Sequence, residues 1–155
     1  MSDVGDNNFM RYIYRGEEGE IIPRGATHVI VYESVKDVLA NAFLYHPNII
    51  EVICHEDVKK IQEYAFFDCK SLRRVVMPGV KIVESMAFYR CKALTDVDCG
   101  KLERIGDAAF THCISLRSIT LPSVRIVEEA AFGTCTALTN ATFGSKLERV
   151  ERGHA

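Results

Sequence analysis

The sequence predicts a repeat solenoid, and three observations support this fold class. An Ala-Phe pair recurs five times, with its Phe at positions 43, 66, 88, 110 and 132. Apolar residues recur at fixed offsets behind each Phe, so every unit of about 22 residues has the same pattern. Finally, one such unit is too short to bury its own apolar side, whereas stacked units bury a continuous core.

Residues 1–34 are predicted to form an N-terminal cap, of which residues 1 to about 25 do not follow the repeat. The segment FMRYIYRGEEGEIIP indicates two short strands around a Gly-Glu-Glu-Gly turn. The segment THVIVYES then aligns with the strand of a repeat, with Val29 and Val31 at the buried offsets. A cap is expected here because a solenoid must cover the apolar side of its first rung.

Residues 35–146 are predicted to be repeats of about 22–23 residues. In LRRVVMP and LRSITLP the apolar residues alternate and β-branched residues are frequent, which predicts a short strand with one buried face. In EYAFFDC and DAAFTHC the residues Ala, Phe and Cys lie at i, i+1 and i+4. That spacing predicts one tight helical or 3₁₀ turn packed on the core.

Two columns of side chains are predicted to be structural. The phenylalanines should fill the interior of their rungs, and the cysteines should occupy a tight corner as small, buried and reduced residues. Four cysteines at one repeat position indicate packing more than catalysis; the first unit has His46 there. The predicted structural residues are Phe43, Phe66, Phe88, Phe110, Phe132, Cys69, Cys91, Cys113 and Cys135.

Residues 147–155 are predicted to be an incomplete C-terminal repeat. The final rung would then present apolar side chains and an open sheet edge. This predicts either a segment of a longer array or self-association through residues from about position 136 onward. Residues 144–155 are expected to be the least ordered after the extreme N-terminus.

Composition and charge narrow the classes of partner. The chain has 155 residues, is 48% hydrophobic and 26% charged, and has a formal net charge of -2. This charge gives no general attraction to nucleic acid or anionic lipid, and no apolar run is long enough for membrane insertion. The N-terminus lacks the features of a secretory signal, so an intracellular location is expected, or an extracellular one if the chain is a fragment of a longer protein.

The repeat resembles a known family. The segments IQEYAFFDCKSLRRVVMPG and IGDAAFTHCISLRSITLPS are similar to the BspA-type leucine-rich repeat, over roughly positions 35–150. The resemblance implies a curved, right-handed solenoid of the leucine-rich-repeat type, with short parallel strands on one face and short turns on the other. It also implies a binding or adhesion scaffold, and the family offers no catalytic residues to transfer.

No catalytic, metal-binding or cofactor site is expected. His112-Cys113, Cys54-His55 and His46 supply metal-ligand types, but their spacing matches no common metal motif. The candidate site is instead the outward face of the strands, where a partner protein could bind. Its predicted residues are His28, Ile30, Glu51, Ile53, Arg74, Val76, Asp96, Asp98, Ser118, Thr120, Asn140 and Thr142.

These observations favour a non-catalytic protein-interaction module that presents a rigid repeat surface. The alternative is a structural segment of a longer surface or adhesion protein with leucine-rich repeats. The two hypotheses differ in what lies beyond the chain, because a signal peptide or anchor would favour the adhesion role.

Overall fold

The fold was analysed in a computed structural model that describes residues 8–151. The first part of the predicted cap, residues 1–7, and the last part of the incomplete repeat, residues 152–155, lie outside the described residues. Within the described range, no helix has the length and apolarity needed to cross a bilayer.

The chain folds into short strands that recur twice in each coil. Their bounds are β1 Arg11–Tyr14, β2 His28–Val31, β3 Asp37–Val38, β4 Glu51–Ile53, β5 Lys60–Ile61, β6 Arg74–Val76, β7 Ile82–Val83, β8 Asp96–Asp98, β9 Arg104–Ile105, β10 Ser118–Leu121, β11 Ile126–Val127, β12 Asn140–Phe143 and β13 Arg149–Val150. The strands are short because each coil must turn several corners within one repeat length.

Strands of successive coils pair in parallel, as the predicted solenoid requires. One sheet has the order β1-β2-β4-β6-β8, and a second has the order β13-β11-β9-β7-β5-β3. Strands β10 and β12 form a separate two-stranded sheet. The predicted solenoid with short parallel strands is therefore confirmed.

The core is a set of columns that run from coil to coil. Phe43, Phe66, Phe88 and Phe110 are buried, and consecutive rings stack with centroids 5.0–5.1 Å apart. Phe132 continues the stack at 5.4 Å from Phe110. Contrary to the expectation of full burial, Phe132 is only partly buried, because it lies in the last coil with a complete turn.

The turns that contain the Ala-Phe pairs are not helical, which corrects the expected helical or 3₁₀ turn. In the second repeat, the Ala65 and Cys69 N–H groups donate to carbonyls three residues earlier, both at 3.2 Å. The residues that precede them, Tyr64 and Asp68, have φ angles of 61° and 55°. A positive φ at the third residue is typical of a type II turn and does not occur in a helix.

These turns form a third ladder of backbone hydrogen bonds between coils. The N–H groups of Tyr64, Phe66 and Asp68 donate to carbonyls of the next coil at 3.2, 2.7 and 2.7 Å. The same three positions donate in the same direction in the neighbouring coils. The left-handed conformation recurs in each coil because it directs every second N–H group at the following coil.

We expect replacement of Ala108 by glycine to stabilise the protein. Ala108 has a φ of 54°, and a left-handed alanine costs about 1–2 kcal/mol, which glycine avoids. Against this, glycine gives the unfolded chain more conformational entropy, which lowers the free energy of unfolding by about 0.4–1 kcal/mol. We therefore expect a net increase in the free energy of unfolding of about 0.5–1 kcal/mol. Urea unfolding would measure this change.

The neighbouring alanine provides the control for this substitution. Ala109 is fully buried and does not have a positive φ. Ala109→Gly should therefore lower the free energy of unfolding by about 1 kcal/mol. Equal losses for both variants would contradict the role assigned to the left-handed position.

The cap differs from the two strands expected on either side of the Gly-Glu-Glu-Gly turn. Only the first segment forms a strand, β1, and it pairs in parallel with β2. The segment around Glu20 remains a loop, and the Glu20 carboxylate accepts hydrogen bonds from the Tyr12 hydroxyl and the Arg15 N–H group. The Tyr14 ring packs 5.1 Å from that of Phe43 and covers the end of the Phe column.

Candidate functional site

The outward face of the five-stranded sheet carries a continuous line of aliphatic side chains. Strand registry places Ile13 beside Ile30, Ile30 beside Ile53, and Ile53 beside Val76. We call these four residues the apolar column. Ile13, Ile30 and Ile53 are 43%, 38% and 37% exposed, and Val76 is partly exposed. Four neighbouring aliphatic side chains on a rigid sheet form an apolar surface of the kind that marks interaction sites.

A row of polar and charged side chains runs beside the apolar column. It consists of Arg11, His28, Glu51, Arg74 and Asp96, which are neighbours in the same strand registry. Arg74 Nη1 and Glu51 Oε2 form an ion pair at 2.7 Å in the middle of this row. At its start, the His28 ring stacks on Phe9 with centroids 4.3 Å apart. Opposite charges on neighbouring strands stabilise the sheet. With this ion pair in the middle, the row has a basic residue, Arg11, at one end and an acidic residue, Asp96, at the other.

A third row, made of Arg15, Tyr32 and His55, borders the apolar column on the opposite side. The Arg15 guanidinium carbon lies 4.5 Å from the Tyr32 ring centroid, in a cation–π contact. The Tyr32 carbonyl also accepts a hydrogen bond from His55 Nε2 at 2.9 Å. These contacts hold polar and aromatic side chains at the rim of the apolar column.

The structure brings together eight of the twelve predicted face residues. His28, Ile30, Glu51, Ile53, Arg74, Val76, Asp96 and Asp98 lie on the five-stranded sheet. The remaining four, Ser118, Thr120, Asn140 and Thr142, lie on the separate sheet formed by β10 and β12. The predicted face is thus divided between two sheets. Its two parts differ in polarity, because the apolar column ends at Val76 and the next residue in register is Asp98.

A hollow of about 550 Å³ lies beside the division between the two sheets. Thr95 and Asp96 line it from one side, and Arg117 and Ser118 line it from the other. Its walls are largely polar, unlike the apolar column. The division therefore separates an aliphatic surface from a polar one.

Sequence reasoning placed His28 and Ile30 of the cap on this face but missed the contribution of β1. Arg11 and Ile13 of β1 extend two of the rows by one strand, because β1 pairs with β2, and Arg15, directly after β1, extends the third through its contact with Tyr32. The available signal was the alternation in RYIY, which predicted a strand. That alternation could not predict the parallel pairing, which depends on a connection outside the repeat.

The residues considered as metal ligands serve structural roles or lie apart. Among residues 8–151, no group of three or more His, Cys, Asp or Glu side chains is placed to hold a metal ion. The six cysteines are all buried and unpaired in this range. His112 contacts the Tyr89 ring edge-on at 5.4 Å, on the outside of the turns.

The cysteine column makes a repeated hydrogen bond that the sequence did not reveal. The thiols of Cys69, Cys91, Cys113 and Cys135 donate to the Phe carbonyl of the preceding coil, at 3.0, 3.2, 3.2 and 2.9 Å. Burial raises the pKa of Cys69 and Cys91. A protonated thiol can donate this bond and is a poor nucleophile, so Cys69 and Cys91 serve to link coils. The same hydrogen bond links Cys113 and Cys135 to their preceding coils.

His46 makes the corresponding link between the first repeat and the cap. Its Nε2 donates to the Pro23 carbonyl at 2.8 Å, and its Nδ1 accepts the Asn48 N–H at 3.2 Å. The accepting Nδ1 requires a neutral ring, since both nitrogens of a protonated histidine are donors. Burial lowers the pKa of His46, although the hydrogen bond to Pro23 opposes this shift.

The neutral state of His46 predicts a loss of stability in mild acid. The unfolded chain gains a proton on His46 near its ordinary pKa of about 6.5, while the folded chain does so only at lower pH. The free energy of unfolding should therefore fall as pH drops below about 6.5, until the lowered folded pKa is passed. Urea unfolding between about pH 7.5 and about pH 5 would measure this.

His46→Cys restores the residue used by the other repeats and provides the control. This variant should lack the histidine contribution, so its pH curve should be flatter than that of the natural chain. Parallel curves for the two proteins would show that His46 does not titrate on unfolding as described.

Comparisons with known proteins agree with this architecture. The family description "BspA type leucine rich repeat region" matches residues 28–154 in six copies. No curated protein shows significant similarity to the chain in sequence.

Several solved structures are similar. A leucine-rich repeat protein from Bacteroides ovatus is 26% identical with a TM-score of 0.73, and the match covers 85% of this chain and 38% of that one. A leucine rich cell surface protein from Faecalibacterium prausnitzii is 23% identical with a TM-score of 0.64, covering 92% and 38%. A T. pallidum leucine rich repeat protein is 20% identical with a TM-score of 0.59, covering 94% and 74%. The first two matches therefore span less than half of the proteins concerned.

Proposed function

Because this chain belongs to the BspA-type leucine-rich repeat family, we propose that it is a non-catalytic module that binds another protein. The proposed binding surface is the outward face of the five-stranded sheet. Leucine-rich repeat proteins are generally non-enzymatic, and the repeat fold suggests an interaction or surface module. Binding would then depend on shape and side-chain pattern and would involve no covalent chemistry.

The exposed apolar column is the single observation on which this proposal depends. Ile13, Ile30, Ile53 and Val76 come from four strands that backbone hydrogen bonds hold in register. A partner that covers them would remove apolar area from water without reordering the sheet, which limits the entropic cost of binding. The column therefore favours recognition of a protein surface over recognition of a nucleic acid.

A matched pair of isoleucine variants tests the proposal. Ile53→Lys places a charge in the apolar column, whereas Ile21→Lys changes an isoleucine that is 85% exposed in the cap loop. Each protein would be immobilised and exposed to an extract of the source cells, and retained proteins identified by mass spectrometry. We expect proteins retained by the natural chain and by Ile21→Lys to be lost with Ile53→Lys.

Identical retention by all three proteins would contradict the proposed binding face. Thermal unfolding of both variants provides the control for folding, because surface substitutions usually change stability by about 0.5 kcal/mol or less.

The second candidate function is that of a structural segment in a longer surface protein. It is favoured by the match that covers 38% of a leucine rich cell surface protein. This candidate places the chain outside the cell, whereas the leading proposal also allows an intracellular location. Protease treatment of intact cells would distinguish the locations, since only an extracellular segment would be digested.

We also propose that the C-terminal coil can self-associate through residues from about position 136 onward. Strands β12 and β13 are edge strands of their sheets in the described structure, and Phe143 and Val150 are 37% and 54% exposed. An edge strand with apolar neighbours is a template for pairing with another chain. Sedimentation velocity at several concentrations would test this, and a strict monomer would contradict it.

A further inference from the structure

We propose that the partner segment recognised by the five-stranded sheet is an amphipathic α-helix with acidic residues at one end and basic residues at the other. This inference rests on the proposed function and specifies the chemistry of the partner. The apolar column provides the contact surface, and the charges at the two ends of the sheet provide the polarity.

The spacing of the apolar column fits a helix lying across the strands. Adjacent coils are separated by 5.0–5.1 Å, as measured by the ring centroids of Phe43, Phe66 and Phe88. Four rows therefore span about 15 Å, and helix positions i, i+3, i+7 and i+10 rise by about 4.5, 10.5 and 15 Å at 1.5 Å per residue. One face of a helix thus meets all four residues of the column.

An extended peptide matches the column poorly. Side chains on one face of a strand are about 6.6 Å apart, so four of them span about 20 Å. Four side chains of an extended peptide therefore span about 5 Å more than the apolar column, which is the distance between two adjacent coils. A helix is consequently the better occupant of this surface.

Two basic side chains lie on the outward face at its β1 end, while Glu17, Glu18 and Glu20 of the following loop line a separate hollow beside Tyr14. Arg11 and Arg15 lie over the rings of Phe9 and Tyr32, at 5.9 and 4.5 Å from the ring centroids. Neither guanidinium forms an ion pair within residues 8–151. Their charges are therefore available to carboxylates of a partner, in positions that the aromatic rings restrain.

Two acidic side chains lie at the β8 end of the face, with Arg74 beside Asp96 in the strand registry and Arg117 across the polar hollow. Asp96 accepts a hydrogen bond from the Thr95 hydroxyl at 3.2 Å, and Asp98 ends the apolar column. Neither carboxylate has an ion-pair partner in the described part of the chain. These charges disfavour phosphate groups and favour lysine or arginine side chains of a protein partner.

Charge and length together define the partner segment. The β1 and β8 ends are four coil spacings apart, or about 20 Å, which a helix of about 14 residues spans. Glu51 and Arg74 neutralise each other between the two ends. The complementary helix therefore has acidic residues over Arg11 and Arg15, basic residues over Asp96 and Asp98, and an apolar stripe between them.

Four labelled synthetic peptides of about 14 residues test this inference by fluorescence anisotropy. All have leucines at i, i+3, i+7 and i+10. The bipolar peptide has Glu in its first turn and Lys in its last; the acidic and basic peptides have one charge type at both ends. The fourth is the bipolar peptide with a central proline, which breaks the helix. We expect the bipolar peptide to bind about tenfold more tightly than the other three.

Variants of the protein make the test independent of the peptide design. Ile53→Lys should weaken binding of the bipolar peptide by about tenfold, while the control Ile21→Lys should leave it unchanged. The double variant Arg11→Glu/Arg15→Glu makes both ends of the face acidic. We expect it to prefer the basic peptide, a switch that partial unfolding cannot produce.

The inference is overturned if no peptide binds at about 1 mM, if the proline peptide binds as well as the bipolar one, or if the double variant keeps the original preference. If a protein partner is retained in a way that depends on Ile53 but no peptide binds, the helical partner is contradicted and the proposed function stands. If no peptide binds and no protein partner is retained in a way that depends on Ile53, the proposed function is contradicted as well.

Discussion

Replacement of Phe88 by alanine is expected to lower the free energy of unfolding by about 3–5 kcal/mol. The Phe88 ring is fully buried, and it stacks between Phe66 and Phe110 at 5.1 Å on each side. Removing it deletes apolar contacts with two neighbouring coils and leaves a cavity that the hydrogen-bonded ladders cannot close. Urea unfolding followed by circular dichroism would measure the loss.

Phe132→Ala provides the matched control because Phe132 has the same repeat position in the last complete turn. Among the described residues it stacks on Phe110 alone, and it is partly exposed, so its loss should cost about half as much. Equal effects of the two substitutions would contradict the column packing. A change in cooperativity for Phe88→Ala alone would indicate that the solenoid then unfolds in two parts.

Replacement of Gly79 by alanine is expected to destabilise the protein by about 3 kcal/mol. A Cβ atom on Gly79 would lie 1.8 Å from the carbonyl oxygen of Glu56. Because the obstacle is backbone of the preceding coil, no rotamer change can relieve the overlap, and the two coils must separate locally. The midpoint of urea unfolding would show the effect.

Gly100→Ala is the control for this substitution. Gly100 is exposed, and a Cβ atom added there would meet nothing within 4 Å. Alanine should therefore be neutral or stabilise by up to about 1 kcal/mol through the unfolded chain. A similar response at both glycines would show that close coil contact is not the reason for glycine at position 79.

The two packing predictions and the proposed function concern the same property of the fold. The Phe column and the close approach at Gly79 hold the coils at a constant spacing, and this spacing sets the distance between Ile13, Ile30, Ile53 and Val76. A partner helix can match the apolar column only while that spacing is kept. Variants that loosen the core should therefore also weaken binding at the face.

Part of the candidate site could be predicted from the repeat. Alternation in each strand assigns Val52 and Val75 to the interior, and so places Ile53 and Val76 on the outside. Both valines are buried, and both outward residues lie on the five-stranded sheet. The division of the face beyond Asp98 was not predicted, because the repeat pattern continues through β10 and β12 without interruption.

The sequence by itself determined the solenoid, its coil length and its buried columns. These are properties of a pattern that recurs along the chain, and each coil packs mainly on the next one. The apolar offsets therefore carry enough information to identify which side of each strand is buried. The same reasoning identified Cys69 and its equivalents as packing residues.

Only the tertiary structure decided the cap pairing, the turn geometry and the polarity of the face. Parallel pairing of β1 with β2 is accompanied by packing of Tyr14 over Phe43 and by the loop held by Glu20, and both Tyr14 and Glu20 lie outside the repeat. The left-handed φ angles at Tyr64 and Asp68 are unfavourable locally and are stabilised by hydrogen bonds to the next coil. Such choices are made by contacts between distant segments, which periodicity along the chain does not encode.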